Sequence, residues 1–359
     1  MTPDTTLAYT QALAAPPGDD GSAIDAIWRD LHRNDPSSVA SQSPDWAKAV
    51  AEAGGFHASP QAYEFDANDT ALLPLFTKGL GPLRYAWSPP PAWGFGGVLA
   101  GGALTPEKLA TILAHLETLP YLGIKIRPNP LAADLWAAAA RPGWDPIARL
   151  AHVVDLSGGV DAVRRRFRSN AGTNIRRAEK YGVEIESGNA SHLINEFRGL
   201  LELSFARWAR KQHEPVVLAR IRGRRRDPRS KFAIMADRLG ERFRLYVARV
   251  DRQPVAAILV LAGRQAHYTR GAIDEAIAGE SRAAYLLQAT AIEEACRQGS
   301  THYHMGETGN STSLAQFKSR FGAVPVTYAE YRYERVPLAR VDDFARSAVK
   351  RILGFRDAS

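Results

Sequence analysis

Apolar residues recur at helical spacing in several separate segments of the chain. The segment 43–55, SPDWAKAVAEAGG, begins with Ser43 as a helix N-cap and ends in a glycine pair. The segment 105–119, TPEKLATILAHLETL, is capped in the same way and is amphipathic, and a longer helix is predicted for about residues 191–213. Helices are therefore expected in both halves of the chain.

Alternating or continuous apolar runs predict strands between these helices. Residues 243–272 read as three strands joined by turns at DRQP and AGRQ, and HYHMGE at 302–307 reads as a further strand. Residues 87–102, WSPPPAWGFGGVLAGG, contain too much proline and glycine for either element and predict an aromatic loop. Because helices and strands alternate in both halves, we expect a mixed α/β fold made of two units of similar plan.

A short helix is predicted within residues 312–323, TSLAQFKSRFGA. Ser313 and Gln316 have the spacing of a capping box, and Gly322 supplies the stop. The apolar face of this helix consists of Leu314, Phe317 and Phe321. Lys318 lies beside that face at helical spacing, where an ordinary solvated lysine is less expected.

Basic residues are concentrated in two segments of the chain. The sequence has 46 lysines and arginines against 38 aspartates and glutamates, a formal net charge of +8. Residues 164–180, RRRFRSNAGTNIRRAEK, are predicted to form two helices broken near Gly172, and residues 220–231, RIRGRRRDPRSK, a flexible loop. Both segments suit a polyanionic partner such as RNA, and both also suit a solvated surface.

Cysteine usage and hydropathy indicate the compartment in which the protein works. The single cysteine, Cys296, excludes an internal disulfide and fits a reducing environment. The most apolar run, residues 255–262, is far shorter than the roughly 20 residues of a membrane helix, so we expect a cytoplasmic protein without integral membrane association. Residues 1–35 read as a flexible lead-in without a secretory signal, and residues 346–359 as a basic C-terminal helix or tail.

Four segments together resemble the FemABX family of peptidyl transferases and related acetyltransferase-like proteins with a doubled GNAT fold. They are SQSPDW at 41–46, LPL at 73–75, FRSNAGTNIRRAEKYGVEI at 167–185 and the stretch 283–323, which ends in FKSRFGA. The resemblance implies two tandem GNAT-like domains. The first, 36–150 with about 324–345, is the acceptor side, and the second, 151–323, is the donor side.

The resemblance also implies a reaction in which an aminoacyl group passes from the ester of an aminoacyl-tRNA to an amine, forming an amide. The acceptor is then a cell-wall precursor or a small peptide or metabolite, and no cofactor is needed beyond the tRNA co-substrate. Lys318 matches the family's FK lysine, which is thought to stabilise charge on the reacting ester. One fixed cation can lower such a barrier by about 3 kcal/mol. The alternative is a lysine with its stem on Phe321 and its ammonium in water.

Further residues are candidates for the site, although packing or surface pairing explains each almost as well. Asp274 and Glu307 are candidate general bases, as are the substrate itself and water. The candidate substrate contacts are Arg176, Arg177, Arg207, Tyr268, Arg270, Tyr285, Phe317 and, in the aromatic loop, Trp93. The candidate tRNA contacts are Arg224, Arg225 and Arg226.

Two other functions stay open on the sequence. An acyl-CoA-dependent N-acyltransferase would need a glycine-containing pyrophosphate loop, whereas the corresponding segment ESRAAYLLQ has alanines and Tyr285 where the glycines should be. A non-catalytic RNA-binding protein would need the basic segments but not Lys318. HYHMGE places His302 and His304 on one face of a strand, but no third distant ligand is evident, so no metal is expected.

Overall fold

The computed structural model describes residues 22–66, 69–211, 215–309 and 311–336. These residues fall into two compact units. The first unit extends to Arg149 and takes in the stretch from Thr327 onward, and the second unit comprises Leu150–Val326. Both units combine helices with strands, which confirms the mixed α/β class.

Helices and strands alternate along the described chain. The α-helices are α1 (Ser22–Asn34), α2 (Pro44–Gly54), α3 (Pro106–Thr118), α4 (Ala133–Ala138), α5 (Gly159–Arg166), α6 (Ser169–Lys180), α7 (Ser191–Lys211), α8 (Val216–Arg226), α9 (Lys231–Leu239), α10 (Glu275–Ser281), α11 (Ala283–Arg297) and α12 (Thr312–Ser319). The strands are β1 (His57–Ala58), β2 (Gln61–Asp66), β3 (Asp69–Leu73), β4 (Phe76–Lys78), β5 (Tyr85–Ser88), β6 (Leu99–Ala100), β7 (Gly123–Ile126), β8 (Trp144–Asp155), β9 (Glu184–Gly188), β10 (Phe243–Val250), β11 (Gln253–Leu261), β12 (Gln265–Ile273), β13 (His302–Glu307) and β14 (Val324–Glu334).

The first unit contains two sheets. Strands β1, β4, β5, β7 and β14 are neighbours in that order, with β5 and β7 parallel and the other pairs antiparallel. Strands β2, β3 and β6 form a separate antiparallel sheet. The predicted helix at 43–55 is confirmed as α2, with Ser43 as its N-cap and Gly55 as a left-handed C-cap at φ 64°.

The expected flexible lead-in is wrong from Ser22 onward, because α1 is packed into the first unit. Trp28 is buried, and its indole nitrogen donates a hydrogen bond to the carbonyl of Gln42 at 2.6 Å. Leu31, one turn later, is buried as well. This i, i+3 spacing is the sequence signal for the helix. The predicted terminal segments 1–21 and 346–359 lie outside the described residues.

In the second unit the strand order is β8 (from Leu150), β13, β12, β11, β10, β9. β12 and β13 are parallel and pair only over Gln265–His267 with His302–His304, and the other neighbours are antiparallel. Both strands continue past that short ladder, so the sheet opens between them. Within the described ranges, no helix has the length and apolarity needed to cross a membrane.

Both basic segments differ from their predicted local structure. The break between α5 and α6 falls at Phe167 and Arg168, and Gly172 lies inside α6. The expected flexible loop at 220–231 is also wrong, because its first part completes α8.

Close packing against α7 explains why α8 contains Gly223. A Cβ at Gly223 would lie only 2.7 Å from the ring of Phe205 on α7. The glycine therefore permits close packing of the two helices rather than ending one of them. Pro228 follows the end of α8, where proline is expected.

Candidate active site

Lys318 lies on α12 and is buried. The helix begins after Ser311, whose hydroxyl accepts a hydrogen bond from the Leu314 amide at 3.4 Å, so the predicted capping box of Ser313 and Gln316 is wrong. Leu314 is 38% exposed, whereas Lys318 is 2% exposed. The helix therefore turns its lysine, rather than the predicted leucine, into the unit.

Aromatic side chains fix the position of α12. The rings of Phe317 and Phe321 pack edge-on with centroids 5.2 Å apart, and the ring of Tyr285 on α11 is also 5.2 Å from Phe317. Arg320 donates a hydrogen bond to the Tyr285 hydroxyl. Phe317 and Tyr285, which the sequence suggested as substrate contacts, thus take part in the packing that orients Lys318.

The ammonium of Lys318 is held by the backbone of β13. Its Nζ donates to the carbonyl oxygens of Gly306 and Glu307, both at 2.9 Å. Gly306 has φ +71°, and the register of β13 against β8 shifts between His304 and Glu307. This irregularity lets two successive carbonyls face one cation, whereas carbonyls alternate in direction along a regular strand. The alternative of a solvated ammonium is therefore wrong.

Burial changes the pKa of Lys318 and of two nearby histidines. Burial lowers the pKa of Lys318 to about 7, and the Glu307 carboxylate opposes this shift. Burial, and then the charge of Lys318, lowers the pKa of His152. The same two causes, followed by the charge of Arg270, lower the pKa of His267 to about 3, so its imidazole is uncharged at neutral pH. Sequence reasoning missed them because single histidines in apolar strands carry no spacing signal.

Tyr268 and Arg270 lie on β12, where it separates from β13. A Cβ placed on Gly306 would be 3.4 Å from the Tyr268 carbonyl oxygen, so β12 passes beside the lysine's anchor. Burial raises the pKa of Tyr268 to about 12, which keeps its phenol a hydrogen-bond donor at neutral pH. The structure therefore brings these two predicted residues to the opening of the sheet.

A buried ion network holds Arg270. Its Nε donates to Asp227 Oδ2 at 3.3 Å, and Lys231 Nζ donates to Asp227 Oδ1 at 2.9 Å. The side chains of Asp227 and Lys231 are only 2% and 3% exposed. Burial alone would raise the pKa of Asp227, but Arg270, Lys231 and Arg226 together hold it well below its usual range. Sequence reasoning missed this network, although the i, i+4 spacing of the aspartate and lysine is a signal for it.

Two predicted site residues have structural partners instead. The Asp274 carboxylate caps α10 by accepting a hydrogen bond from the Ala276 amide at 3.2 Å. Arg207 lies 3.8 Å from the Glu275 carboxylate. Of the two candidate bases, Glu307 is the one that the structure brings to Lys318.

A groove of about 510 Å³ lies along α5 and α6. Its arginines are Arg164, Arg168 and Arg176. Arg164 makes a bidentate pair with Glu293 at 2.6 and 2.8 Å, whereas within the described ranges Arg168 and Arg176 make no ion pair. Arg177 is exposed and does not line the groove.

The three predicted tRNA contacts lie on α8. Arg224 contacts Glu202 at 3.1 Å, and Arg226 contacts Asp227 at 3.1 Å. Arg225 is exposed. Two of the three guanidinium groups therefore already have carboxylate partners, and a role in tRNA binding stays a prediction.

Trp93, a candidate substrate contact in the sequence, is buried. It is 4% exposed and packs edge-on against Trp46, with ring centroids 5.5 Å apart, in the first unit. Its aromatic loop turns this large ring inward.

The histidines of HYHMGE have local partners. His304 is fully buried and shares a hydrogen bond with Gln265 at 2.7 Å, while His302 contacts Thr301. In the part of the chain that the structure describes, no three His, Cys, Asp or Glu residues are grouped as metal ligands.

Comparison with known proteins agrees with this architecture. Residues 165–319 match the family described as an acetyltransferase (GNAT) domain. A crystal structure of FemX is 14% identical to this chain, with a TM-score of 0.64 over 88% of this chain and 98% of the other. A conserved protein of unknown function from Bacteroides thetaiotaomicron is 13% identical, with a TM-score of 0.52 over 87% and 95%. No curated protein matches the sequence significantly.

Proposed function

We propose that this chain is an aminoacyl-tRNA-dependent aminoacyltransferase, because residues 165–319 match an acetyltransferase (GNAT) domain and the fold is similar to that of FemX. The donor is the aminoacyl ester of a charged tRNA, which implies a cytoplasmic reaction without a further cofactor. The acceptor is the amine of a cell-wall precursor or a small peptide. A C–N bond forms, the ester C–O bond breaks, the amine loses a proton and the ribose hydroxyl gains one.

The position of Lys318 is the observation that carries the proposal. Attack of an amine on an ester places negative charge on the carbonyl oxygen, and a fixed donor in a dry site stabilises that charge. Two N–H groups of Lys318 are used by the carbonyls of Gly306 and Glu307, and no other described residue accepts from its ammonium. In the proposed reaction the third N–H donates to the substrate carbonyl oxygen.

The proton of the attacking amine needs an acceptor. Glu307 fits this role better than Asp274, because the Asp274 carboxylate caps α10 whereas Glu307 interacts with Lys318. Since the pKa of Lys318 is about 7, its cationic form declines as the pH rises through neutrality. The contribution of the cation to the rate is therefore expected to fall above about pH 7. The concentration of unprotonated acceptor amine rises over the same pH range.

Tyr285 favours an ester donor over acyl-CoA. It occupies a position where a pyrophosphate loop needs glycine for close backbone approach, and its side chain is 9% exposed between Phe317 and Phe321. For the phosphates of tRNA, the groove along α5 and α6 offers Arg168 and Arg176 without carboxylate partners.

The test is transfer from a mixture of charged tRNAs to amine acceptors, with release of uncharged tRNA as the readout. Lys318→Met keeps the length of the buried side chain but removes its charge, so the rate should fall by about 10² or more. The control is Lys48→Met, which removes an exposed lysine on α2 of the first unit and should leave the rate unchanged. Equal turnover by wild type and Lys318→Met would contradict the role of this residue. Release of free coenzyme A thiol, with no release of tRNA, would replace the proposal by the acyl-CoA alternative.

A further inference from the structure

The outward face of α8 combines aliphatic and cationic side chains. Val217, Leu218 and Ile221 are 66%, 48% and 46% exposed, and they occupy adjacent positions on two successive turns. Single exposed aliphatic residues are ordinary, but a contiguous group on one helix indicates a contact surface. We call these three residues, with the arginines that flank them, the α8 face.

The helix cannot bury these side chains by rotating about its axis. Ala219 and Gly223 form its opposite, buried side. A Cβ on Gly223 would lie 2.7 Å from the Phe205 ring, so α8 rests directly on α7. At its end, Asp227 ties the chain to Lys231 and Arg270 through the buried ion network. The α8 face is therefore displayed by a firmly packed helix.

Arginines surround the aliphatic group. The exposed ones are Arg220, Arg222, Arg224 and Arg225. Glu202 lies 3.7 Å from Arg220 and 3.1 Å from Arg224, and α8 itself contains no acidic residue. The face is thus cationic as well as apolar, and long guanidinium side chains can bind anions while aliphatic neighbours enter a less polar layer.

We propose that the α8 face docks on an anionic membrane surface. Its arginines bind lipid phosphates, and Val217, Leu218 and Ile221 enter the boundary between head groups and acyl chains. RNA is the competing partner. Its phosphates would use only the arginines of the α8 face, and its bases would stack on aromatic side chains rather than on aliphatic ones. The exposed apolar side chains of α8 are aliphatic, which favours lipid. Docking is peripheral and does not depend on the proposed transfer reaction.

The test is co-sedimentation of the full chain with vesicles of phosphatidylcholine, with and without about 30% phosphatidylglycerol. Binding is expected only to the anionic vesicles and should weaken as salt is added. The variant Val217→Ser, Leu218→Ser, Ile221→Ser keeps every arginine and should bind about tenfold or more weakly. The matched control is Leu80→Ser with Leu83→Ser, which removes leucines that are 86% and 67% exposed in the first unit and should bind like wild type.

A second variant covers the case in which the triple substitution impairs folding. Arg222→Gln with Arg225→Gln keeps the aliphatic side chains and should also weaken binding to anionic vesicles. The inference is overturned if the wild type does not bind them, or if the α8 and Leu80/Leu83 variants bind equally well. A triple variant that keeps vesicle binding but loses affinity for uncharged tRNA would assign the face to RNA. One that changes only the oligomeric state would assign it to a second copy of the chain.

Discussion

The ammonium of Lys318 lies 2.9 Å from the carbonyl oxygen of Gly306, at a point where β13 leaves regular strand geometry. The left-handed backbone of Gly306, at φ +71°, and the shifted register turn this carbonyl toward the same cation as the next one. The irregular part of β13 therefore provides the hydrogen-bond acceptors that hold the lysine of α12.

Lys318→Met should change how stability depends on pH. Burial lowers the pKa of Lys318 from its ordinary value of 10.5 to about 7 in the folded protein. Between these pH values the unfolded chain holds a proton that the folded protein has released, so the free energy of unfolding of the wild type rises with pH in this window. In this window the free energy of unfolding of the wild type, relative to that of Lys318→Met, should rise by up to about 1.4 kcal/mol per pH unit. Urea unfolding of both proteins at several pH values measures this, and parallel pH profiles would show that the lysine is not buried as described.

Gly306→Ala should weaken both stability and transfer. A Cβ there meets only the Tyr268 carbonyl at an ordinary contact distance of 3.4 Å, so the main cost is the left-handed backbone, about 1–2 kcal/mol of unfolding free energy. Relaxation of that backbone would also turn the carbonyl away from Lys318 and lower the transfer rate. Gly279→Ala on α10, where an added Cβ meets nothing within 4 Å, serves as the control and should keep full activity. If both variants transfer at the wild-type rate, the strand geometry is not needed for the lysine.

Asp227→Asn should destabilise the protein strongly. The substitution removes the charge of the buried carboxylate that Lys231 and Arg270 share, which costs about 3–5 kcal/mol of unfolding free energy. Adding Lys231→Met should recover part of that loss, because one of the two cations that share Asp227 is then gone. Chemical denaturation of the single and double variants measures the coupling.

Glu202→Gln is the surface control for the buried pair. Its carboxylate is 38% exposed beside Arg224, so the loss of unfolding free energy should stay below about 1 kcal/mol. Similar losses for Asp227→Asn and Glu202→Gln would mean that the ion network at Asp227 is not buried in solution.

Two glycines inside helices should respond to alanine in opposite directions. Gly223→Ala places a Cβ 2.7 Å from the Phe205 ring and should lift α8 from α7, at a cost of about 1–3 kcal/mol. Gly199→Ala on α7 meets nothing within 4 Å and should stabilise by about 0.5–1 kcal/mol through helix propensity. Thermal unfolding of the two variants tests the packing of α8, which would be contradicted by equal stabilisation in both.

The local sequence was sufficient to predict a helix or its ends wherever residues a few positions apart determine them. Ser43 and Gly55 bound α2 because capping and left-handed turns involve only residues a few positions apart. The same reasoning predicted a short helix carrying Lys318, although its cap is Ser311. It failed at Gly223, where close packing against Phe205, not backbone freedom, explains the glycine.

Only the tertiary structure decided what the key side chains do. The hydrogen bonds of Lys318 depend on the carbonyls of β13 and on a register shift between β13 and β8. The sequence of α12, which carries the lysine, predicts neither. Arg270 likewise meets Asp227 from a distant part of the chain. Burial and charge pairing are sums over contacts that the fold brings together, so the pKa of Lys318 and the partner of Arg270 are properties of the folded unit and not of any sequence motif.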